Sequence, residues 1–390
     1  MLAIKLAIKN LLGAGLRTWL NVFVLSLSYV MIIFMNGMLD GWNNQAKSDT
    51  RVWDTGSSQY WHSEYDPYDP FTLEDSHAKI PAEFRQEVSS GELASVLVAT
   101  ASIYPEGRVQ SVILKGININ QTVLELPTAS LEGDGEDIPA IIGKRMAKRN
   151  KLKAGDLVTM RWRDADGTFD ARDIKITEVF NCNVPSIDAG HIWISLDKLQ
   201  EMLQLENETT LIITPFEKDL EIMSSDFVYK DFDFLTEEIT KIIQSKSIGT
   251  SVFYVILLLL AMLAIFDTQI LSIFRRQREI GTQIALGMTR GQVVRLFTLE
   301  GAMHAVLAAI LGAAYGVPLF IKMAKSGIPM PEVTDDFGMA IADSIIPQYT
   351  IGLILGTIFF ILLAATIVSY IPARKISKLK PTDAIRGKIQ

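Results

Sequence analysis

The sequence predicts a membrane protein with four transmembrane α-helices and one large α+β extracytoplasmic domain between the first and second helices. Three observations lead to this fold class. Hydrophobic residues make up 49% of the 390-residue chain, above the usual share for a soluble protein with this many charges. The apolar residues are concentrated in four stretches, and the long polar segment 39–246 separates the first stretch from the other three.

Each of the four stretches approaches or exceeds the roughly 20 apolar residues that a helix needs to cross the hydrocarbon core. We place the spans at residues 18–38, 249–273, 299–322 and 349–371. The first is too long for the core of a signal peptide, and no small-residue cleavage site follows in residues 35–41. Span 1 is therefore interpreted as an uncleaved anchor.

The orientation follows from the basic residues beside the spans, because short flanking loops rich in Lys and Arg stay in the cytoplasm. Three basic groups flank the spans: Lys5, Lys9 and Arg17; Arg275, Arg276, Arg278, Arg290 and Arg295; and Arg374, Lys375, Lys378, Lys380, Arg386 and Lys388. The loop between spans 3 and 4 has the opposite balance, since four acidic residues follow Lys325: Glu332, Asp335, Asp336 and Asp343. We expect a multi-pass protein of the cell inner (cytoplasmic) membrane, with both termini cytoplasmic and residues 39–246 outside.

The spans divide the chain into three regions. Residues 1–38 hold an amphipathic N-terminal helix and span 1, residues 39–246 form the extracytoplasmic domain, and residues 247–390 hold spans 2–4 and a cytoplasmic tail. In the first region Lys5 and Lys9 share one helical face, and Ile4, Ile8 and Leu11 lie on another. That pattern is typical of a helix lying in the membrane interface.

The extracytoplasmic domain is strongly acidic, with 36 Asp and Glu against 21 Lys and Arg. Short β-branched runs alternate with brief helical ones, which predicts an α+β fold. Strands are expected at 93–104, 109–117, 157–163, 173–180, 191–194 and 209–214, with a hairpin turn at 164–167. Helices are expected at 143–150, at 196–205 with Ser195 as its N-cap, and at 234–246, continuing into span 2.

Residues 57–71 are aromatic and acidic and contain two prolines, so we expect an irregular exposed segment. Contact with a partner or substrate, and a cation site at Glu64, Asp66 and Asp69, are the alternatives for this segment.

Several function classes are disfavoured by composition. The net charge is −7 and no long basic run occurs, which argues against nucleic acid as a partner. Cys182 is the single cysteine, so neither an intrachain disulfide nor a cysteine-based metal site is expected. The four histidines are scattered, and neither a hydrolase motif nor the glycine-rich phosphate loop G-x-x-x-x-G-K-[ST] occurs. We therefore expect no enzyme activity, cofactor or metal in this chain.

The connection between spans 2 and 3, residues 275–292, is predicted to form a helix, a turn and a second helix. Gly287 suits a left-handed helix end, and Thr289 with Gln292 forms a T-x-x-Q capping box for the helix that enters span 3. Ile280 and Ile284 share a face that we expect to be exposed to water in a lone chain. Such a face favours a protein partner over an unaccompanied helix on the bilayer.

Polar residues within the spans are interpreted mainly as structural. Asp267 in span 2 can reach interfacial water or a neighbouring helix, with ion or substrate coupling as the alternative. Glu300 and His304, four residues apart, are expected to pair with each other or with the nearby arginines. Gly312 and Gly316 form a G-x-x-x-G that permits close helix contact.

The 275–301 segment, RRQREIGTQIALGMTRGQVVRLFTLEG, resembles the loop R-x-x-E-I-G-x-x-x-A-L-G of the FtsX-like permeases of ABC transporters, the group that includes MacB-type and lipoprotein-releasing (LolC/LolE-type) subunits. The tail IPARKISKLKPTDAIRG at 371–387 is similar to the closing motif of that family, with Ile376 and Ile385 as mild departures. Residues 141–162 resemble a strand, helix and Gly-Asp turn of its external domain, the MacB-like periplasmic core.

The resemblance implies that residues 275–286 form a coupling helix that docks on a cytoplasmic ABC ATPase. The residues implied in coupling are Arg275, Arg278, Glu279, Ile280, Gly281, Ile284 and Gly287. A second permease copy or a homologous permease is implied as a dimer partner in the lipid membrane, and ATP and Mg²⁺ are expected in the separate ATPase.

Within the family, residues Met35, Asn36, Gly37 and Met38 look like the M-N-G-F of the lipoprotein-releasing branch, where span 1 would line a cargo or lipid entry. The sequence-based prediction is therefore lipoprotein release from the inner membrane to a periplasmic carrier. MacB-like efflux of peptides, antibiotics or lipids is the first alternative. An FtsX-like scaffold that transmits force to an envelope partner is the second, although the 208 residues between spans 1 and 2 favour transport.

Overall fold

The computed structural model describes residues 15–133, 137–217, 225–329 and 344–376. Three sequence-based expectations lie outside these residues: the amphipathic helix at 1–12, the acidic part of the loop between spans 3 and 4, and the tail motif beyond residue 376.

The described helices are numbered here in chain order. They are α1 (Leu16–Thr50), α2 (Arg85–Ser90), α3 (Lys144–Asn150), α4 (Pro185–Gly190), α5 (Leu196–Leu203), α6 (Phe232–Leu235), α7 (Glu237–Arg275), α8 (Gln277–Ala285), α9 (Arg290–Ser326) and α10 (Ile351–Ile376). A π-helical turn, Arg51–Thr55, follows α1 directly.

Four of these helices are long and apolar enough to cross a membrane. Within the described part of the chain the candidate spans are Thr18–Thr55, Glu237–Arg275, Arg290–Ser326 and Ile351–Lys375, which confirms the predicted number and order. The helices extend beyond the apolar stretches, since α1 has 35 residues and α7 has 39. At 1.5 Å per residue α7 is about 58 Å long, more than the 40–45 Å of a bilayer with its headgroups.

The chain forms two compact units. Among the described residues, one unit contains 15–42, 243–328 and 346–376, and the other contains 43–133, 137–217, 225–242, 329 and 344–345.

The membrane unit is held by small and branched residues where its helices meet. Val22 and Leu25 of α1 pack in one cluster with Ile265 of α7, Ala305 of α9 and Ala365 of α10. The predicted close contact at the G-x-x-x-G of α9 is confirmed. A Cβ at Gly312 would lie 3.3 Å from the Ser26 carbonyl oxygen of α1, and one at Gly316 would lie 2.9 Å from Val30 Cγ2.

The second unit, called the α+β unit here, is built on a nine-stranded mixed sheet. The described strands are β1 (Ser58–His62), β2 (Ala78–Lys79), β3 (Ala94–Ile103), β4 (Gln110–Ile117), β5 (Ile138–Gly143), β6 (Leu157–Arg163), β7 (Phe169–Phe180), β8 (His191–Ser195), β9 (Glu208–Thr209), β10 (Leu211–Thr214), β11 (Phe227–Lys230), β12 (Ile328–Pro329) and β13 (Ser344–Ile345). The order in the large sheet is β11-β1-β10-β3-β4-β8-β5-β7-β6, and the end of β3 also pairs with β6. The β4–β8 and β5–β7 pairs are parallel, whereas the other pairs are antiparallel.

The central strands of the sheet are buried on both faces, because alternate residues enter two different cores, whereas β6 alternates between buried and exposed residues. In β3, Leu97 and Ile103 pack in one core, whereas Val96 and Val98 pack in the other, beside Trp193 of β8. The strand therefore appears in sequence as a continuous apolar run rather than an alternating one.

Most predicted elements of this unit are confirmed to within a few residues, including the hairpin turn between β6 and β7, where Gly167 has φ +82°. Two details were wrong, and a third was confirmed only in part. Residues 58–62 of the supposed irregular segment form strand β1, with Tyr60 buried. Ser195 is the N-cap residue, as predicted, but its side chain makes no capping hydrogen bond. The helix predicted at 234–246 is broken at Thr236, between α6 and α7.

Candidate functional site

The 275–292 hairpin has the predicted local structure. Helix α8 follows α7 after one residue, and the chain then turns at Gly287, whose φ of +101° is left-handed. Its N–H donates to the Ile284 carbonyl at 3.1 Å. Helix α9 starts with the complete capping box: the Gln292 N–H donates to Thr289 Oγ1 at 3.3 Å, and the Thr289 N–H donates to Gln292 Oε1 at 2.9 Å. Both ends of the turn are thus determined by local sequence.

Arg276, between α7 and α8, connects the hairpin to α9. Its Nη1 donates to Glu300 Oε2 at 2.9 Å and to Glu300 Oε1 at 3.2 Å, and its Nε donates to Glu279 Oε2 at 2.9 Å. The guanidinium carbon lies 5.0 Å from the centre of the Phe297 ring. Burial of the guanidinium works against its charge, but the hydrogen bonds to the two carboxylates prevail and raise the pKa of Arg276, so the group stays protonated.

The expectation that Glu300 pairs with a nearby arginine is confirmed, and His304 Nδ1 lies 3.1 Å from the Glu300 carbonyl oxygen. Arg276 itself was not singled out by sequence reasoning. It is 24 residues from Glu300, and the neighbouring Arg275 and Arg278 give the same local signal, so spacing could not identify the partner.

The expectation for Ile280 is wrong. Its side chain is 1% exposed and packs within this chain against Ile273, Val293 and Phe297. Ile284 is partly buried against the same cluster. These two isoleucines attach α8 to the long helices, because the turn brings α8 back alongside them, and they do not form a water-exposed face.

The exposed surface of the hairpin is formed by other residues. Of the predicted coupling residues, Arg275, Arg278, Glu279 and Gly287 are exposed, while Gly281 is buried. The apolar side chain that projects furthest is one that sequence reasoning missed, Leu286, which is 82% exposed.

Helix spacing places three exposed residues of α8, together with Leu286 directly after its end, on one surface. Arg278, Thr282, Ala285 and Leu286 follow one another at intervals of four, three and one residues and are all exposed. We call this set the docking face.

The four span 1 residues implied in cargo entry lie in the second half of α1. Gly37 is buried, and a Cβ there would overlap the Tyr349 ring and lie 3.1 Å from the Gln348 carbonyl oxygen. The Gln348 N–H donates to the Gly37 carbonyl oxygen at 2.9 Å, and the Asn36 amide donates to its own helix at 2.9 Å. Met35 and Met38 are half-buried. A close approach to the start of α10 therefore accounts for the glycine.

The α+β unit holds the start of α7 through aromatic and cationic contacts. Phe234 of α6 lies edge-on to Trp61 of β1 with ring centres 5.8 Å apart, and Lys230 Nζ lies 4.3 Å from the Phe234 ring centre. The Tyr68 hydroxyl donates to Glu238 Oε2 at 2.7 Å, which raises the pKa of Tyr68 to about 12, with burial as the next cause. We call Trp61, Tyr68, Lys230 and Phe234 the aromatic clamp.

The carboxylates of the 57–71 segment serve its own turns. Asp66 accepts from the Tyr68 N–H at 2.9 Å, and Asp69 accepts from the Phe71 N–H at 3.0 Å. Within the described ranges, no group of three or more His, Cys, Asp or Glu side chains is arranged to hold a metal ion. The cation site considered for this segment therefore gains no support.

The family described as FtsX-like permease C-terminal matches residues 251–381. The macrolide export ATP-binding/permease protein MacB 2 of Aeromonas hydrophila is 23% identical over 268 residues, covering 65% of this chain and 37% of that protein. MacB of Shewanella sp. (strain ANA-3) is 26% identical over 163 residues, which cover 42% of this chain and 22% of that one.

An uncharacterized ABC transporter permease of Methanocaldococcus jannaschii is 27% identical over 170 residues, 42% of this chain and 40% of that protein. The chain thus spans well under two thirds of the length of these relatives. Among solved structures, the extracellular domain of the noncanonic ABC-type transporter YknZ from Gram-positive bacteria matches at 13% identity with a TM-score of 0.24, covering 43% of this chain and 84% of that one.

Four apolar helices, a large α+β domain between the first two, and a capped hairpin between the second and third define a multi-pass membrane protein. Residues 251–381 match the FtsX-like permease C-terminal family, and the chain as a whole is similar to ABC transporter permeases of the MacB type.

Proposed function

We propose that this chain is the permease subunit through which a cytoplasmic ABC ATPase, bound at the 275–292 hairpin, moves the extracytoplasmic domain. The observation that carries the proposal is the continuity of α7, one 39-residue helix from Glu237 to Arg275. Its first residues follow the aromatic clamp, and its last residue adjoins the hairpin.

The docking face is where the ATPase would bind. It combines one exposed cation, Arg278, with the exposed apolar side chain of Leu286. The small residue Ala285 precedes Leu286 on the same surface. Arginine and large apolar side chains are the residue types that concentrate binding energy in protein interfaces. Ile280 and Ile284 would serve the interface indirectly by attaching α8 to the long helices.

Force on α8 would pass to the spans because the hairpin is fixed to them at two places. One is the ion pair of Arg276 with Glu300, whose carboxylate is 8% exposed, and the other is the apolar cluster around Ile280. Displacement of α8 would then displace α7, and α7 would carry the motion to the aromatic clamp. ATP binding would do work through the different affinity of the ATPase for the two arrangements.

In this proposal ATP and Mg²⁺ are bound by the ATPase, which is a separate chain from the permease. The MacB relatives carry the combined description ATP-binding/permease in their names. A second permease copy completes a dimer in the inner membrane, with both termini of each copy in the cytoplasm.

For the cargo, export of the MacB kind has more support than lipoprotein release. The relatives with similar sequence include named macrolide exporters. The M-N-G-M segment that suggested the lipoprotein-releasing branch has a packing explanation at Gly37. We therefore propose an amphiphilic small molecule or peptide as the cargo. Release of a lipoprotein to a periplasmic carrier and transmission of force to an envelope partner are the less favoured functions.

Site-specific photocrosslinking tests the docking face. A photoreactive residue at Leu286 should crosslink to a protein that also binds a fluorescent ATP analogue. The matched control places the same group at Phe169, which is 61% exposed on β7 of the α+β unit. In this proposal that unit lies outside the cytoplasm. Crosslinking of the ATP-binding protein from Phe169 and not from Leu286 would refute the assignment.

Thiol labelling tests the orientation. Cys182 is 3% exposed and burial raises the pKa of its thiol to about 12, so it gives little background in the folded chain. Leu286→Cys should react with a membrane-impermeant maleimide only in inside-out vesicles, and Phe169→Cys only in right-side-out vesicles. The reverse pattern would overturn the topology and, with it, the cytoplasmic ATPase.

A further inference from the structure

An open groove of about 430 Å³ runs along the membrane unit between α9 and α10. Its wall from α9 includes Thr298, Ala302 and Val306, and its wall from α10 includes Thr366. Arg295 and Tyr370 stand at one end. The volume lies within the roughly 300–1,000 Å³ of ordinary small-molecule sites.

The walls of the groove are chemically apolar, although two of these residues are threonines. Thr298 Oγ1 donates to the Val294 carbonyl at 2.9 Å, and Thr366 Oγ1 donates to the Leu362 carbonyl at 2.7 Å. Both hydroxyls are therefore already satisfied within their own helices. An occupant that follows the groove meets hydrocarbon along its length and needs no hydrogen-bonding groups there.

The length of the groove matches one leaflet of a bilayer. From Arg295 to Val306 the α9 wall rises by eleven residue steps, or about 17 Å at 1.5 Å per residue. Half of the hydrocarbon core is about 15 Å. A single acyl chain that extends from the headgroup level toward the bilayer centre fits this length.

The polar end of the groove has the character of a headgroup site. Arg295 is exposed and has no ion-pair partner among the residues that the structure describes. It lies five residues after Arg290, the first residue of α9. Tyr370 is 47% exposed beside it. Tyrosine and arginine at the end of a span are typical of the level of lipid headgroups.

We propose that this groove binds one anionic phospholipid, with an acyl chain between α9 and α10 and the phosphate at Arg295. The charge at the end selects the anionic class, and the apolar walls select the chain. This lipid site is separate from the docking face and from the span 1 segment at residues 35–38.

Native mass spectrometry of the complete chain in mild detergent tests the site. Phosphatidylglycerol and phosphatidylethanolamine with the same acyl chains are titrated separately. For the wild type, phosphatidylglycerol should bind about five-fold more tightly, which corresponds to the roughly 1 kcal/mol that one basic residue contributes near an anionic surface. Arg295→Gln should abolish this preference, whereas the control Arg290→Gln should retain it.

A second pair of variants tests the groove itself. Ala302→Phe fills the groove and should remove the site for both lipids, whereas Ile310→Phe, an exposed position of α9 outside the groove, should leave it intact. Because Arg295 is exposed, its variant keeps the fold and decides the question even where Ala302→Phe does not fold. Three results would each overturn the proposal. The wild type could bind the two lipids with equal affinity, or Arg295→Gln could keep the preference for phosphatidylglycerol. Ala302→Phe could also lose self-association of the chain while its lipid binding stays unchanged. The last result would assign the groove to a second copy of the chain.

Discussion

The ion pair at the base of the 275–292 hairpin allows a quantitative test of how the hairpin is attached to the spans. Arg276→Met keeps the apolar stem of the side chain and removes the guanidinium. The Glu300 carboxylate, 8% exposed, then loses both of its hydrogen bonds from Arg276. Glu279, the other partner of Arg276, is 62% exposed and returns to water.

The burial of each partner sets the expected magnitudes. Removing one partner of a buried ion pair costs about 3–5 kcal/mol, so we expect Arg276→Met to lower the free energy of unfolding by about that much. Glu279→Gln removes an exposed pair and should cost less than about 1 kcal/mol. Glu300→Met should cost less than Arg276→Met, because Arg276 keeps Glu279 and is 20% exposed. The double variant Arg276→Met/Glu300→Met should recover much of the loss, since an apolar pair of similar volume often replaces a buried ion pair without penalty.

Unfolding of the purified chain by titration with sodium dodecyl sulfate in mixed micelles measures these differences, and Glu279→Gln is the matched control. A second readout is the ATPase activity of the complex in proteoliposomes. Arg276→Met should weaken the coupling between ATP hydrolysis by the ATPase and movement of the permease, and it should do so more than Glu279→Gln does.

Two results would refute the reasoning. Arg276→Met could prove as stable as Glu279→Gln, in which case the buried pair does not attach the hairpin. The double variant could also be no more stable than Arg276→Met, in which case the arginine acts through contacts other than Glu300.

Three further predictions follow from the described contacts. Gly301→Ala should destabilise the chain by about 1–3 kcal/mol, because a Cβ there would overlap Ser369 of α10, whereas Gly291→Ala, with nothing within 4 Å, should be neutral in the same unfolding assay. Burial, and then a neighbouring lysine, hold the pKa of His191 well below its ordinary 6.5. The free energy of unfolding should therefore be level above pH 6.5 and decline as the pH falls below it, because only the unfolded chain binds the extra proton there. His191→Phe should flatten this decline when unfolding is followed by tryptophan fluorescence. Cys182 should resist a thiol reagent at pH 8 and react at the rate of unfolding, since burial raises its pKa to about 12; rapid reaction of the folded chain would contradict its placement.

Features that depend on residues near one another in sequence were predicted well. The capping box at Thr289 and the left-handed Gly287 are local devices, and both are confirmed. The hairpin between β6 and β7 and most strands of the α+β domain are likewise confirmed, because turn residues and apolar runs act over a few positions.

Strand β1 was missed for a physical reason. Its sequence, SQYWH, is polar and aromatic and is followed by two prolines, so local propensity favours a loop. The strand forms because it lies between β10 and β11, which supply its hydrogen bonds, and because Tyr60 packs against Phe84. Neither condition is visible within a short window of sequence.

The amino-acid sequence alone determined that this chain crosses a membrane four times, because the energetics of burying apolar residues in lipid depend on run length and charge and not on the fold. It also determined the capped turn between spans 2 and 3. Only the tertiary structure decided which residues that turn exposes. Ile280 faces inward, Leu286 faces water, and Arg276 meets Glu300 because packing of α8 against the long helices brings together groups that are far apart in sequence.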